Sequence, residues 1–147
     1  MTNQTFVTEA SSSNNFEVAA GALAQSKGQN QAVRHYGEHM VTDHSVAAME
    51  MGTLASRKGW NIMPSGDMLS KRRQQLDMLT AATGTDFDKK FAEAMVQSHQ
   101  EAVSLFERAS STNGVPDDDL RALATMKLPT LKTHLQDAMT LRTTVNP

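Results

Sequence analysis

The sequence of 147 residues contains no cysteine, which excludes disulfide bonds and metal sites built from thiolates. Aromatic residues make up only 5% of the chain, whereas helix-forming residues such as alanine, leucine, methionine and glutamine are plentiful. This composition favours helices over β-sheet, in which aromatic and β-branched residues are enriched. The formal net charge of −2 provides no general attraction to nucleic acid or to anionic membranes, so we expect no nucleic-acid partner.

Long apolar runs are also missing. No stretch approaches the roughly 18 consecutive apolar residues of a membrane span, so no transmembrane segment is expected. The first twenty residues have neither a basic start nor an apolar run, and we predict that this chain carries no signal peptide. Phosphate-binding loops, serine-nucleophile motifs and HExxH zinc motifs are absent. The length is typical of one domain, which we expect to span residues 1–147.

Five segments show the apolar spacing of three and four residues that is typical of amphipathic helices. Their predicted bounds are roughly 4–26, 30–58, 67–82, 86–112 and 117–143. Four long segments and one short segment predict an all-α fold, an antiparallel four-helix bundle with the short helix in its crossover. Gly28 and Gly59 are expected to end the first two helices.

Polar residues and prolines near the segment starts predict how the later helices begin. Ser65 or Asp67 is expected to cap the third helix, and Thr85 the fourth. Pro116 suits the first position of the fifth helix. Pro129 is expected to kink the fifth helix, because proline has no backbone N–H to donate.

One polar residue interrupts the inward apolar face of each long helix: Glu17, His44, His99 and His134. Depth along the bundle follows from the helical rise of about 1.5 Å per residue. Counted from the helix ends at one end of the bundle, His44 and His99 lie about 21 Å down, and Glu17 and His134 about 15–17 Å down. The four side chains are therefore predicted to converge within about one helical turn.

Two interpretations of this cluster remain open. Three imidazoles and a carboxylate suit one zinc, iron or copper ion in the bundle core. The same residues also suit a buried polar network, in which each histidine donates and accepts one hydrogen bond and Glu17 bridges two of them.

Three neighbours of the histidines extend the metal hypothesis. Met40 and Met95 precede His44 and His99 by one turn, and thioether plus imidazole would suit copper(I). Methionine at helical spacing is also ordinary core filler. Asp43 either orients an imidazole or faces water.

A second pair of histidines, His35 and His39, also lies one turn apart. These residues are roughly 140–180° around the helix from His44, which predicts a position on the solvent face. Such a pair can catch zinc or nickel adventitiously.

Six segments carry a resemblance to a known family: FVTEASSSNNFEVAAGALA, VRHYGEHMVTDH, LASRKGWNIMP, TGTDFDKKF, SHQEAV and LATMKLPTLKTHL. Over about residues 5–142 the chain resembles a bacterial ferritin-like family known only as a domain of unknown function. Its members are often labelled outer-membrane or exported proteins. The resemblance implies a ferritin-like four-helix bundle and a periplasmic or exported location, although family members generally begin with an export signal that this chain lacks.

Ferritin chemistry does not follow from this resemblance. Di-iron sites need a glutamate three residues before each of two histidines, and the corresponding positions here are Val41, Val96 and Leu131. We therefore expect a small non-catalytic bundle protein whose Glu/His cluster is a candidate site for one metal ion. The alternatives are a metal-dependent oxidoreductase of the ferritin-like superfamily, which needs an open coordination position and an access path, and a helical protein-interaction module.

Overall fold

The computed structural model describes residues 1–147, which form five α-helices and no β-strand. The helices are α1 (Asn3–Lys27), α2 (Gln31–Lys58), α3 (Ser70–Ala81), α4 (Gly84–Ser110) and α5 (Asp118–Val145). The predicted all-α class is confirmed, and each predicted segment corresponds to one helix whose ends differ by a few residues at most. No helix combines the length and apolar character that crossing a lipid bilayer requires.

The four long helices pair as two antiparallel hairpins. In the first hairpin, Asn14 of α1 contacts His44 of α2, whereas Gly21, further along α1, contacts Gly37, which is earlier in α2. A β-carbon on Gly37 would lie only 2.5 Å from the Gly21 carbonyl oxygen. The two backbones therefore approach as closely as they do because both positions lack a side chain.

The second hairpin has the same reversed order of contacts. Glu93 near the start of α4 pairs with Arg142 near the end of α5, and His99 lies opposite His134. The short helix α3 lies in the long connection between the two hairpins and packs against α1 and α4.

Both glycine ends are confirmed, since Gly28 and Gly59 are the C-terminal caps of α1 and α2. Of these two caps, only Gly59 has the left-handed backbone, with a φ of 75°.

The predicted caps of α3 were wrong. This helix follows Leu69 and has no side-chain cap, so neither Ser65 nor Asp67 begins it. The connector is instead held against α1. The Asn15 amide donates to the Asp67 carbonyl oxygen (2.8 Å), and the Ser12 hydroxyl accepts from the Leu69 N–H (2.8 Å).

The start of α4 also differs from the prediction. Thr85 lies inside the helix, whose N-terminal cap is Thr83. The Phe87 N–H already donates to the Thr83 carbonyl oxygen (3.2 Å), so the first turn closes two residues earlier than the capping pattern indicated.

The fifth helix begins after Pro116 rather than at it. Asp117 is the cap, because its carboxylate accepts a hydrogen bond from the Leu120 N–H (3.0 Å) and satisfies a donor of the first turn. Pro129 lies inside α5, which continues through it to Val145.

The apolar core is divided into two clusters. One packs Phe16, Met40 and Phe91 toward the α1–α2 turn, and the other packs Phe6 and Phe106 toward the opposite end. On α2, α4 and α5 the predicted histidine falls between the parts that enter the two clusters, and on α1 Glu17 directly follows Phe16, the first residue of that helix in the cluster near the α1–α2 turn. The helix register therefore places a polar layer across the middle of an otherwise apolar bundle.

Candidate metal centre

The polar layer brings together the four side chains that the sequence singled out. Glu17, His44, His99 and His134 are all buried, with at most 3% of each residue exposed. The ring centroids of the three histidines are 5.2–5.6 Å apart. The Glu17 Oε2 atom lies 3.8 Å from the His99 Nε2 atom. Each long helix thus contributes one side chain to a single cluster.

Each histidine donates its outward ring N–H to an oxygen atom. The pairs are His44 Nδ1 with Asn14 Oδ1 (2.9 Å), His99 Nδ1 with the Met95 carbonyl oxygen (2.8 Å), and His134 Nε2 with Asp43 Oδ2 (2.8 Å). These oxygens accept hydrogen bonds, so the contacting nitrogen must carry the proton. In a neutral imidazole the other nitrogen then holds a lone pair, and here that nitrogen faces the centre.

The inward atoms have no hydrogen-bond partners. Four buried side-chain atoms of the protein lack one, namely Glu17 Oε2, His44 Nε2, His99 Nε2 and His134 Nδ1. One potential ligand atom from each histidine lies within 4.8 Å of the other two. Two nitrogen ligands of a tetrahedral zinc ion are about 3.4 Å apart, so coordination would require the distances between the histidine nitrogens to shorten by at most about 1.4 Å.

The hydrogen bonds do not form the network that the alternative interpretation requires. Glu17 bridges no pair of histidines, because its Oε1 atom accepts from the Ser98 hydroxyl and its Oε2 atom is unpartnered. None of the three histidines accepts a hydrogen bond, although each donates one. A buried acceptor without a donor costs about 1–3 kcal/mol, so four such atoms, three of them mutually close and the fourth 3.8 Å from His99, need a separate explanation.

The charge state of the histidines favours ligation. Burial holds the pKa of His44 well below its usual range, and the nearby His99 and His134 lower that pKa further. Burial also lowers the pKa of His134, although its hydrogen bond to Asp43 opposes this shift. Both imidazoles are therefore neutral near pH 7, which is the form that binds metal ions.

Tyr36 supports the centre without taking part in it. Its hydroxyl donates to the backbone carbonyl oxygen of His134 (3.0 Å), which ties α2 to α5 beside the cluster. Burial raises the pKa of the Tyr36 phenol, and the negative charge of Glu17 adds to that shift. The phenol consequently stays protonated and remains a hydrogen-bond donor.

A cavity leads from the outside of the bundle to two of the histidines. It has a volume of about 260 Å³, lies between α2 and α5, and includes His44, His134, Asn14 and Asp43 in its wall. Val46, half of whose surface is exposed, lies in the same wall. The cluster is therefore buried but approachable.

The other candidate residues are distributed between core and surface. Met40 and Met95 are buried in the apolar cluster, and the atom of Met95 in contact with His99 is its carbonyl oxygen. His35 and His39 are exposed on α2, as the helical angle predicts. Asp43 orients the imidazole of His134 by accepting its N–H, one of the two roles foreseen for it.

Sequence reasoning missed three partners of the centre: Asn14, Ser98 and Tyr36. Ser98 is fully buried. Asn14 is one turn before Glu17, and Ser98 directly precedes His99. The position of Asn14 and Ser98 beside these inward polar residues is the signal in the sequence that could have identified them.

Comparison with known proteins gives a family without a described activity. A family model described as "Domain of unknown function (DUF4142)" matches residues 1–141, a range that includes all four residues of the cluster. No curated protein and no solved structure matches the chain.

Proposed function

The chain belongs to the DUF4142 family of unknown function, and we propose that it binds one transition-metal ion at the centre formed by Glu17, His44, His99 and His134. The observation that carries this proposal is the set of four unpartnered inward atoms. Metal-binding histidines characteristically donate their second ring N–H to a carboxylate or carbonyl oxygen, which fixes the tautomer and aims the lone pair at the ion. The outward hydrogen bonds of all three histidines have this form.

The donor set limits the ions that fit. Three imidazole nitrogens and one carboxylate oxygen suit zinc, copper(II) or iron(II), whereas magnesium and calcium prefer oxygen ligands alone. Zinc sites with four protein ligands are structural, because no position is left for a substrate. We therefore favour a non-catalytic role, in which the ion joins both hairpins into one folding unit of residues 1–147.

The ferritin-like architecture implied by the resemblance is part of this proposal. Two antiparallel hairpins joined by a long connection that contains α3 support it. An exported location, which the resemblance also implies, is compatible with imidazole and carboxylate ligands, because an oxidising compartment does not alter them.

Binding should be tested on protein purified without chelator or nickel resin. We expect elemental analysis to find one zinc, copper or iron ion per chain, and titration of the chelator-treated protein with zinc to reach the same stoichiometry. The informative variant is His99→Asn, because the asparagine amide can still donate to the Met95 carbonyl oxygen but offers no atom in place of Nε2. His35→Asn is the matched control, since His35 is exposed on α2. Wild-type protein that takes up no ion, or a His99→Asn variant that binds as tightly as wild type, would contradict the proposal.

A metal-dependent oxidoreductase is the second candidate, and the cavity that reaches His44 and His134 is the observation in its favour. In that case Glu17 would leave the fourth coordination position open. Azide added to the cobalt-substituted protein distinguishes the two roles. If Glu17 closes the site, azide should leave the visible absorption of the wild type unchanged and alter that of Glu17→Gln. If the site is open, azide should alter the absorption of the wild type itself.

A further inference from the structure

We propose that His39 and Asp43 form the entrance through which the ion passes between solvent and the buried centre. The inference rests on the proposed metal-binding function and adds to it a route and a capture site. Neither residue donates one of the unpartnered inward atoms, so the entrance is distinct from the ligand set.

One carboxylate oxygen joins the surface to the centre. The Asp43 Oδ2 atom lies 2.8 Å from His134 Nε2 and 3.3 Å from His39 Nε2. The side chains of His39, Asp43 and His134 are 57%, 31% and 4% exposed, respectively. These three residues therefore form a continuous series from solvent to the interior of the bundle.

The chemistry of the two outer residues suits transient capture of a divalent cation. Residues four apart on a helix lie on the same face, so the imidazole of His39 and the carboxylate of Asp43 can hold one ion together. Two ligands hold an ion weakly, and weak holding permits release to a site that offers four. The cavity wall continues from Asp43 to His44 and His134, so the ion can exchange ligands stepwise.

Charge also favours the Asp43 side of the cavity. The other charged residue in the cavity wall is Lys127, whose ammonium group repels a cation and pairs with Glu50. The Asp43 carboxylate attracts a cation; it accepts a hydrogen bond from His134 and lies 3.3 Å from His39 Nε2, and neither neighbour is a lysine or arginine. His39 lies outside the cavity wall, 3.3 Å from the Asp43 carboxylate, so a cation held by this pair reaches the cavity through Asp43.

Rates separate an entrance from a purely orienting role. A residue on the route changes uptake and release by the same factor and leaves the equilibrium constant as it is. A residue that only orients a ligand weakens affinity, typically about 10- to 100-fold, because the ligand is held less well.

The experiment follows cobalt(II) uptake by stopped-flow visible absorption, and release after addition of excess chelator, in the full chain. The variant is His39→Gln, whose amide N–H can still reach Asp43 and keep its carboxylate in place. His35→Gln, also exposed on α2, is the control. We expect His39→Gln to slow both uptake and release about tenfold with a Kd within about twofold of wild type, and His35→Gln to match wild type. Thermal melts in chelator verify that both variants are folded.

Three results would overturn the entrance. Uptake by His39→Gln at the wild-type rate removes His39 from the route and leaves the metal centre itself intact. Faster release from His39→Gln with unchanged uptake shows that His39 stabilises the bound ion and is not part of its route. Wild-type protein that binds no cobalt rejects the centre and its entrance together.

Discussion

Replacing His99 with alanine separates a metal centre from a cluster that only fills the core. The imidazole is fully buried, donates to the Met95 carbonyl oxygen and directs an unpartnered Nε2 atom toward the centre. If the cluster is only structural, the cost of the substitution should be the same with and without metal ions. If the cluster is a metal site, most of the cost should appear only when an ion is present.

The expected magnitudes follow from the structure. In chelator, the cavity left by the buried ring costs about 2–3 kcal/mol, and loss of the unpartnered Nε2 atom offsets about 1 kcal/mol of this. The net loss should be about 1–2 kcal/mol. At a free zinc concentration about 100 times Kd, the wild type gains about 2.7 kcal/mol, and the variant gains none. For a chain of this length, about 3 °C per kcal/mol gives a wild-type rise of about 8 °C.

Thermal unfolding followed by far-ultraviolet circular dichroism measures both quantities. Wild type, His99→Ala and the surface control His35→Ala are each melted in chelator, zinc and copper(II). The control should keep the full rise, because its side chain is outside the cluster. A wild-type midpoint that no ion moves, or an equal rise in His99→Ala, would refute the reasoning.

Three further outcomes follow from the same structure. The metal-free protein should lose stability as pH falls below about 6.5, because His44 and His134 have lowered pKa values in the folded state and take up protons on unfolding. Two such groups give a slope of at most about 2.7 kcal/mol per pH unit in the free energy of unfolding, which urea titration in chelator measures. Gly37→Ala should cost about 1–3 kcal/mol in the same assay, since its β-carbon would press against the Gly21 carbonyl oxygen, whereas Gly52→Ala, with its nearest neighbour at 3.7 Å, should be neutral or stabilising. Rapid, stoichiometric oxidation of iron(II) by oxygen should not occur, because the chain lacks paired Glu-x-x-His motifs, and a ferroxidase assay checks this.

Much of the bundle could be predicted because helical periodicity is a local property. A residue every three or four positions faces the same side, so the inward faces, and the polar residue on each, can be counted from the letters alone. Depth could also be counted, because the rise per residue is constant and the hairpin turns align the helices. Glu17, His44, His99 and His134 were identified in this way.

Helix ends were less predictable, because their partners come from elsewhere in the chain. Asp67 looked like a cap, yet the connector around it is held by Asn15 of α1, more than fifty residues earlier. A capping residue competes with such distant contacts, and nothing in the local pattern indicates which of them prevails.

The chemistry of the cluster was decided by tertiary structure. A histidine has two nitrogens, and the sequence does not say which one carries the proton. That choice follows from the acceptor each ring meets, and two of the three acceptors, Asn14 and Asp43, come from a different helix. The sequence by itself determined that four polar side chains meet in the core. Only the packing of α1 against α2, and of α2 against α5, turned the N–H groups of His44 and His134 outward and left their lone pairs facing the interior.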